Sequence, residues 1–141
     1  LVIIDRKLKL KKNLALFNLT KKRKTYLVTT SKNVKKISFF KKKNIKIIKV
    51  NSLSTKDNFL DLFRKLFQIG KRRVLIESGL IFLNQLLKIN FINNLYIFSS
   101  NIKLKTNGYN NSKKNLIKSL KNLKQVNVNL NNDKLFKARI H

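Results

Sequence analysis

Cysteine, methionine, proline and tryptophan are absent from the 141 residues, glycine occurs three times, and the single histidine is His141. Disulfides, a Cys/His zinc cluster and Cys/His nucleophilic catalysis are therefore excluded within these residues, and no metal site is expected. With Leu1 in first position and no methionine, the chain is expected to be a processed piece or fragment that carries part of a site. No basic, apolar and cleavage segments follow one another at the start, so no secretory signal is visible, and a reducing cytoplasm is the expected setting. Long apolar runs are also missing. The longest apolar region, Val74 to Leu87, is broken by Glu77, Asn84 and Gln85, short of the roughly 20 apolar residues that a bilayer helix needs. Carboxylates are few: Asp5, Asp57, Asp61, Glu77 and Asp133 face 34 Lys and Arg, for a net charge of +29.

What is abundant is lysine (28) and asparagine (20), joined by Ile, Leu and Phe, the set favoured by codons built from A and T. Such a charge can point to nucleic acid. The lysine runs at 21–24, 41–43, 71–73 and 113–114 are spread between apolar segments with no dense basic tail, which favours a solvated lysine surface over nucleic acid as the primary partner. The phenylalanines sit in amphipathic patterns, where core packing is their ordinary use. A content of 43% apolar residues over 141 positions suits one domain with one buried core.

Leu1 to Ile4 is a short continuous apolar run, which predicts a strand buried on both faces. Thr25 to Thr30 and Ile45 to Val50 are further β-branched runs. From Asp57 to Ile69 the period changes, with Phe59, Leu60, Phe63, Leu66 and Phe67 on one helical face. Ser54, Thr55 or Asp57 suits the N-cap of that helix, and Gly70 stands at its C′ position. A strand over Arg73 to Glu77, a helix over Leu80 to Lys88 and a strand over Leu95 to Ser99 come next. A weak helical pattern covers Leu116 to Leu123. The tail alternates at Val126, Val128 and Leu130, turns at Asn131-Asn132-Asp133 and resumes over Leu135 to Ile140, a closing antiparallel hairpin.

Strands alternating with helices predict an α/β sheet with parallel crossovers, to which the terminal hairpin adds antiparallel strands at one edge. Ligands bind such sheets beyond the carboxyl ends of the strands. Glu77 stands there, and Gly79 opens the following helix. A residue without a side chain lets the backbone approach a ligand, and a helix N-terminus offers N–H groups to a phosphate. A tight turn with a solvated or lysine-paired Glu77 fits the same residues.

The segment RRVLIESGLIFLNQLL followed by INFINNLYIF resembles the strand, Glu-x-Gly turn, helix and strand of the reductase domain in bacterial bifunctional riboflavin-biosynthesis deaminase/reductases. LVIIDRKLKL and TYLVTT resemble earlier strands of the same domain. The resemblance implies a dihydrofolate-reductase-like mixed sheet, mainly parallel, flanked by helices and present here in part. It also implies NADPH as the cofactor and reduction of the ribosyl group of a phosphoribosylamino-pyrimidine to ribityl. Residues 1–141 then correspond to the C-terminal portion of the reductase domain. The strand that opens the domain, the nicotinamide neighbourhood, most substrate ligands and the catalytic residues are expected upstream, where the family often adds a zinc deaminase.

On this resemblance Glu77 binds the substrate. Gly79, Leu80, Ile81, Phe82, Leu83, Asn84 and Gln85 hold the cofactor, with its pyrophosphate at Gly79 and Leu80. Arg6 lies near the adenosine end, where a guanidinium suits a 2′-phosphate; an exposed charge is its plain alternative. The chain departs from the family in having Ser78-Gly79 for two glycines and Asn93-Asn94 for an acidic pair. A homodimer is the expected assembly of the full-length protein. Two other classes remain open: a basic nucleic-acid-binding module, whose lysines would have to converge on one face, and a non-catalytic remnant or dimerisation domain of the same fold.

Overall fold

A computed structural model describes residues 1–102 and 123–140. The chain divides into two units, Leu1–Val74 and Leu75–His141. In the first, three parallel strands, β1 (Val2–Ile4), β2 (Thr25–Thr29) and β3 (Ile45–Lys49), form a sheet in sequence order. β2 lies between the others and is buried at all five positions, as a strand covered on both faces must be. β1 is at the edge and only half covered, so the burial expected of the first apolar run belongs to the second.

The crossover from β2 to β3 is α1 (Val34–Lys42), which answers to no expectation drawn above. The Asn33 side chain caps it by accepting from the Lys36 N–H at 3.0 Å. Ile37 and Phe40 are its buried residues, and with Leu8, Phe17, Leu27 and Ile45 they form a core cluster. Phe17, from a 3-10 helical turn at Ala15–Leu19, meets Phe40 edge to face at 5.7 Å.

After β3, α2 (Lys56–Gln68) begins at a capping box in which Thr55 and Asn58 each accept from the other's backbone N–H. It stops at Gly70, whose φ of +82° is glycine's territory. The Gly70 N–H bonds the Phe67 carbonyl and the Lys71 N–H that of Leu66, the Schellman pattern. Phe59, Leu62 and Leu66 are buried. The inward face is thus rotated from the expected one: Phe67 is 61% exposed, with Arg72 over its ring.

The expected strand over Arg73 to Glu77 is not formed. The division between the units falls inside this run, after Val74, and Leu75 is 80% exposed. An apolar run makes a strand only where a neighbour takes its backbone hydrogen bonds.

In the second unit α3 (Leu80–Lys88) has the bounds expected of it and precedes β4 (Asn94–Ser99). β5 (Lys124–Val126) and β6 (Lys134–Arg139) complete an antiparallel sheet in the order β4-β6-β5. The closing hairpin is therefore present, with its first strand shorter than the alternation predicts. It turns through Asn131 and Asn132, both at positive φ, with the Asp133 N–H on the Leu130 carbonyl at 3.0 Å. The class is α/β as expected, but among the described residues the hairpin does not join an edge of the parallel sheet: it pairs with β4 in a sheet of its own. The weak helix at 116–123 lies, except for its last residue, outside the described residues.

Left-handed positions follow the glycine shortage. Asn44 and Asn90 stand just past the ends of α1 and α3, and Leu8 joins the two hairpin asparagines as the other non-glycine residues at positive φ among those described.

Candidate functional site

Glu77, Ser78 and Gly79 form an exposed irregular segment that runs directly into α3. Gly79 is the N-cap of that helix at φ −70° and ψ 163°, a conformation open to any residue. A Cβ built there meets nothing within 4 Å. Neither backbone strain nor packing against the described residues therefore requires a glycine, in contrast to Gly70, where φ does. No side chain caps α3, so the N–H groups of Leu80 and Ile81 have no acceptor in a preceding turn. The first bond of the helix runs from Leu83 N–H to the Gly79 carbonyl at 3.1 Å. Ile81 is 60% exposed, whereas Leu80, Phe82, Leu83, Asn84 and Gln85 are half-buried. A bare backbone beside an uncapped helix start fits a diphosphate group, and the exposed Glu77 carboxylate two residues earlier fits a hydroxyl donor.

Arg6 belongs to the first unit and the remaining candidates to the second. It follows β1 at the carboxyl end of the parallel sheet. Its carbonyl accepts three bonds from the end of β2: Thr29 Oγ1 at 3.0 Å, Thr30 Oγ1 at 2.9 Å and Thr30 N–H at 3.2 Å. The rest of the loop is pinned as firmly. Asp5 Oδ2 accepts the Leu10 N–H at 2.8 Å, and Lys36 Nζ donates to the Leu8 carbonyl at 2.8 Å. Leu8, wholly buried at φ 51°, is a strained residue that the surrounding contacts hold in place. The guanidinium of Arg6 is thus exposed on a rigid loop. Thr29 and Thr30 had no signal in the sequence beyond their place in a β-branched run.

An open depression of about 570 Å³ lies elsewhere in the second unit, at Asn101, Ile102, Gln125 and 131–134, and none of the expected site residues lines it. Among the described residues no cluster of His, Cys, Asp or Glu could hold a metal ion. No described helix is long and apolar enough to cross a membrane.

A family model described as the RibD C-terminal domain matches residues 1–104, a span that contains Arg6, Glu77 and Gly79 through Gln85. No curated protein matches the chain.

Proposed function

The chain belongs to the RibD C-terminal domain family and is a riboflavin-biosynthesis reductase-type domain, and from that premise we propose its cofactor and substrate. The cofactor is NADPH, which supplies a hydride. The substrate is a phosphoribosylamino-pyrimidine whose ribosyl group is reduced to ribityl, and the chain is the C-terminal portion of the reductase domain that does this. It acts in the cytoplasm, in a protein that assembles as a homodimer.

One observation carries the reading: neither the backbone conformation nor any described neighbour requires the glycine at the start of α3. Glycine there serves a group that comes from outside, and the uncapped N–H groups of Leu80 and Ile81 suit the cofactor's pyrophosphate. The following residues, Phe82 to Gln85, carry the remaining contacts to the cofactor on the first turns of α3. Arg6, on its pinned loop, binds the 2′-phosphate, for which its planar fork of donors is well shaped. Glu77 accepts a hydrogen bond from a substrate hydroxyl and orients the sugar.

The test is a fluorescence titration of NADPH and NADH together with steady-state turnover in the full-length protein. Arg6→Ala is expected to weaken NADPH more than NADH, because only NADPH carries the 2′-phosphate. Glu77→Gln keeps shape and removes charge, so kcat/KM for the pyrimidine is expected to drop about 10- to 100-fold while NADPH affinity holds. Equal losses for both dinucleotides would remove Arg6 from the site, and normal turnover by Glu77→Gln would remove the carboxylate.

A further inference from the structure

The sequence spreads its cations widely, yet the register of the second sheet gathers several on one face. Tyr96 pairs with Lys137 and Lys137 with Lys124; Phe98 pairs with Leu135 and Leu135 with Val126; Asn94 pairs with Arg139. Residues directly opposite share a face, so one side of the sheet carries two aromatic rings, three cations and no acid. The other side carries Leu95, Ile97, Phe136 and the buried Ala138, and is the core side.

The rings on the first side are not core residues. Tyr96 is 47% exposed and Phe98 68% exposed, on a strand whose alternate residues are half-buried. They stand two residues apart, about 6.8 Å along the strand, with Lys137 Nζ 5.6 Å from the centre of the Tyr96 ring. Leu135 and Val126 extend the apolar strip beside them.

We propose that this face of β4, β6 and β5 binds single-stranded nucleic acid, with bases stacked on Tyr96 and Phe98 and phosphates neutralised by Lys124, Lys137 and Arg139. Exposed aromatics on a sheet supply a sequence-tolerant platform, and flanking cations follow the backbone. A second copy of the chain is a poorer occupant, because two such faces would oppose their cations with no carboxylate between them. None of these residues belongs to the proposed reductase site.

The experiment measures fluorescence anisotropy of labelled short oligothymidylate and oligouridylate with the whole chain across a salt series. Tyr96→Ala/Phe98→Ala is expected to weaken binding tenfold or more while the salt slope is kept. Tyr96→Trp/Phe98→Trp should retain it. Lys124→Gln/Lys137→Gln should lower the slope of log K against log salt by about 0.7 per lysine, while Lys35→Gln/Lys42→Gln on α1 leaves it unchanged. Similar affinity for the two oligonucleotides would identify a platform that reads bases and phosphates; a strong preference for oligouridylate would make RNA the ligand. The proposal is overturned if the double alanine variant binds as the parent does, for then the net charge alone attracts the strand. It is equally overturned if that variant changes only a monomer–dimer equilibrium in sedimentation, for then a second copy covers the face.

Discussion

The two units spend their apolar residues differently. Among the described residues thirteen buried apolar side chains lie in the first unit, from Leu8 to Leu66, and three in the second: Leu86, Ile92 and Ala138. The first has a strand covered on both faces, a capped and terminated α2, and a pinned loop after β1. The second places Leu75, Ile81, Phe98 and Ile102 at 60% exposure or more, against Val34 and Phe67 in the first. Its α3 starts at a glycine whose Cβ position has no described neighbour within 4 Å. Residues accounted for by packing describe how a protein holds together; residues left over describe what it meets.

Truncating one phenylalanine in each unit should give very unequal losses. Phe40→Ala empties a site that is 1% exposed and edge-on to Phe17, and should cost about 3–5 kcal/mol in urea unfolding. Phe98→Ala should cost about 0.5 kcal/mol or less. Equal losses would show that the second unit's exposed ring is structural after all.

Gly79→Val comes next in size. With φ at −70° and no neighbour for a Cβ, valine should fold without strain, and stability should stay within about 1 kcal/mol of the parent. NADPH affinity, read by fluorescence titration, is expected to fall by about 2 kcal/mol as the side chain blocks the backbone. Lost stability with unchanged affinity would return Gly79 to a purely structural role.

Smaller effects separate the first unit's own contacts. Thr55→Ala removes half of the α2 capping box and should lower stability by about 1 kcal/mol in thermal unfolding. Asp61→Ala breaks the ion pair with Lys65 at 2.7 Å, but both side chains are about half exposed, so its loss should fall below about 0.5 kcal/mol and shrink in high salt.

Local chemistry made part of this legible beforehand. The Thr55 cap, the Gly70 stop, the bounds of α3 and the asparagine turn between β5 and β6 follow from residue types at fixed offsets. α1 did not, because lysines at 35, 36, 41 and 42 dilute a narrow apolar stripe to Ile37 and Phe40. Arg73 to Glu77 misled for the opposite reason: the run is apolar enough for a strand, and pairing depends on partners that periodicity does not contain. Phe67 and Leu62 exchange places because a stripe read from sequence does not fix the angle at which the helix meets its sheet.

For the candidate site, the sequence supplied Arg6, Glu77 and Gly79 as types of residue. The bonds that fix Arg6 come from threonines 23 and 24 positions away, a separation that no local pattern spans. The aromatic and basic face of the second sheet was hidden likewise, since Tyr96, Lys137 and Lys124 meet only through strand register.

The asparagines at 44, 90, 131 and 132 have a consequence for stability. Each holds a left-handed backbone position that glycine would occupy without steric cost. Asparagine tolerates the region better than other side chains, yet keeps a penalty of up to about 1 kcal/mol at each such place. With stabilities of about 5–15 kcal/mol typical of whole domains, four such penalties are a sizeable share. Glycine at these two helix ends and one hairpin would relieve that cost, set against the greater freedom it gives the unfolded chain.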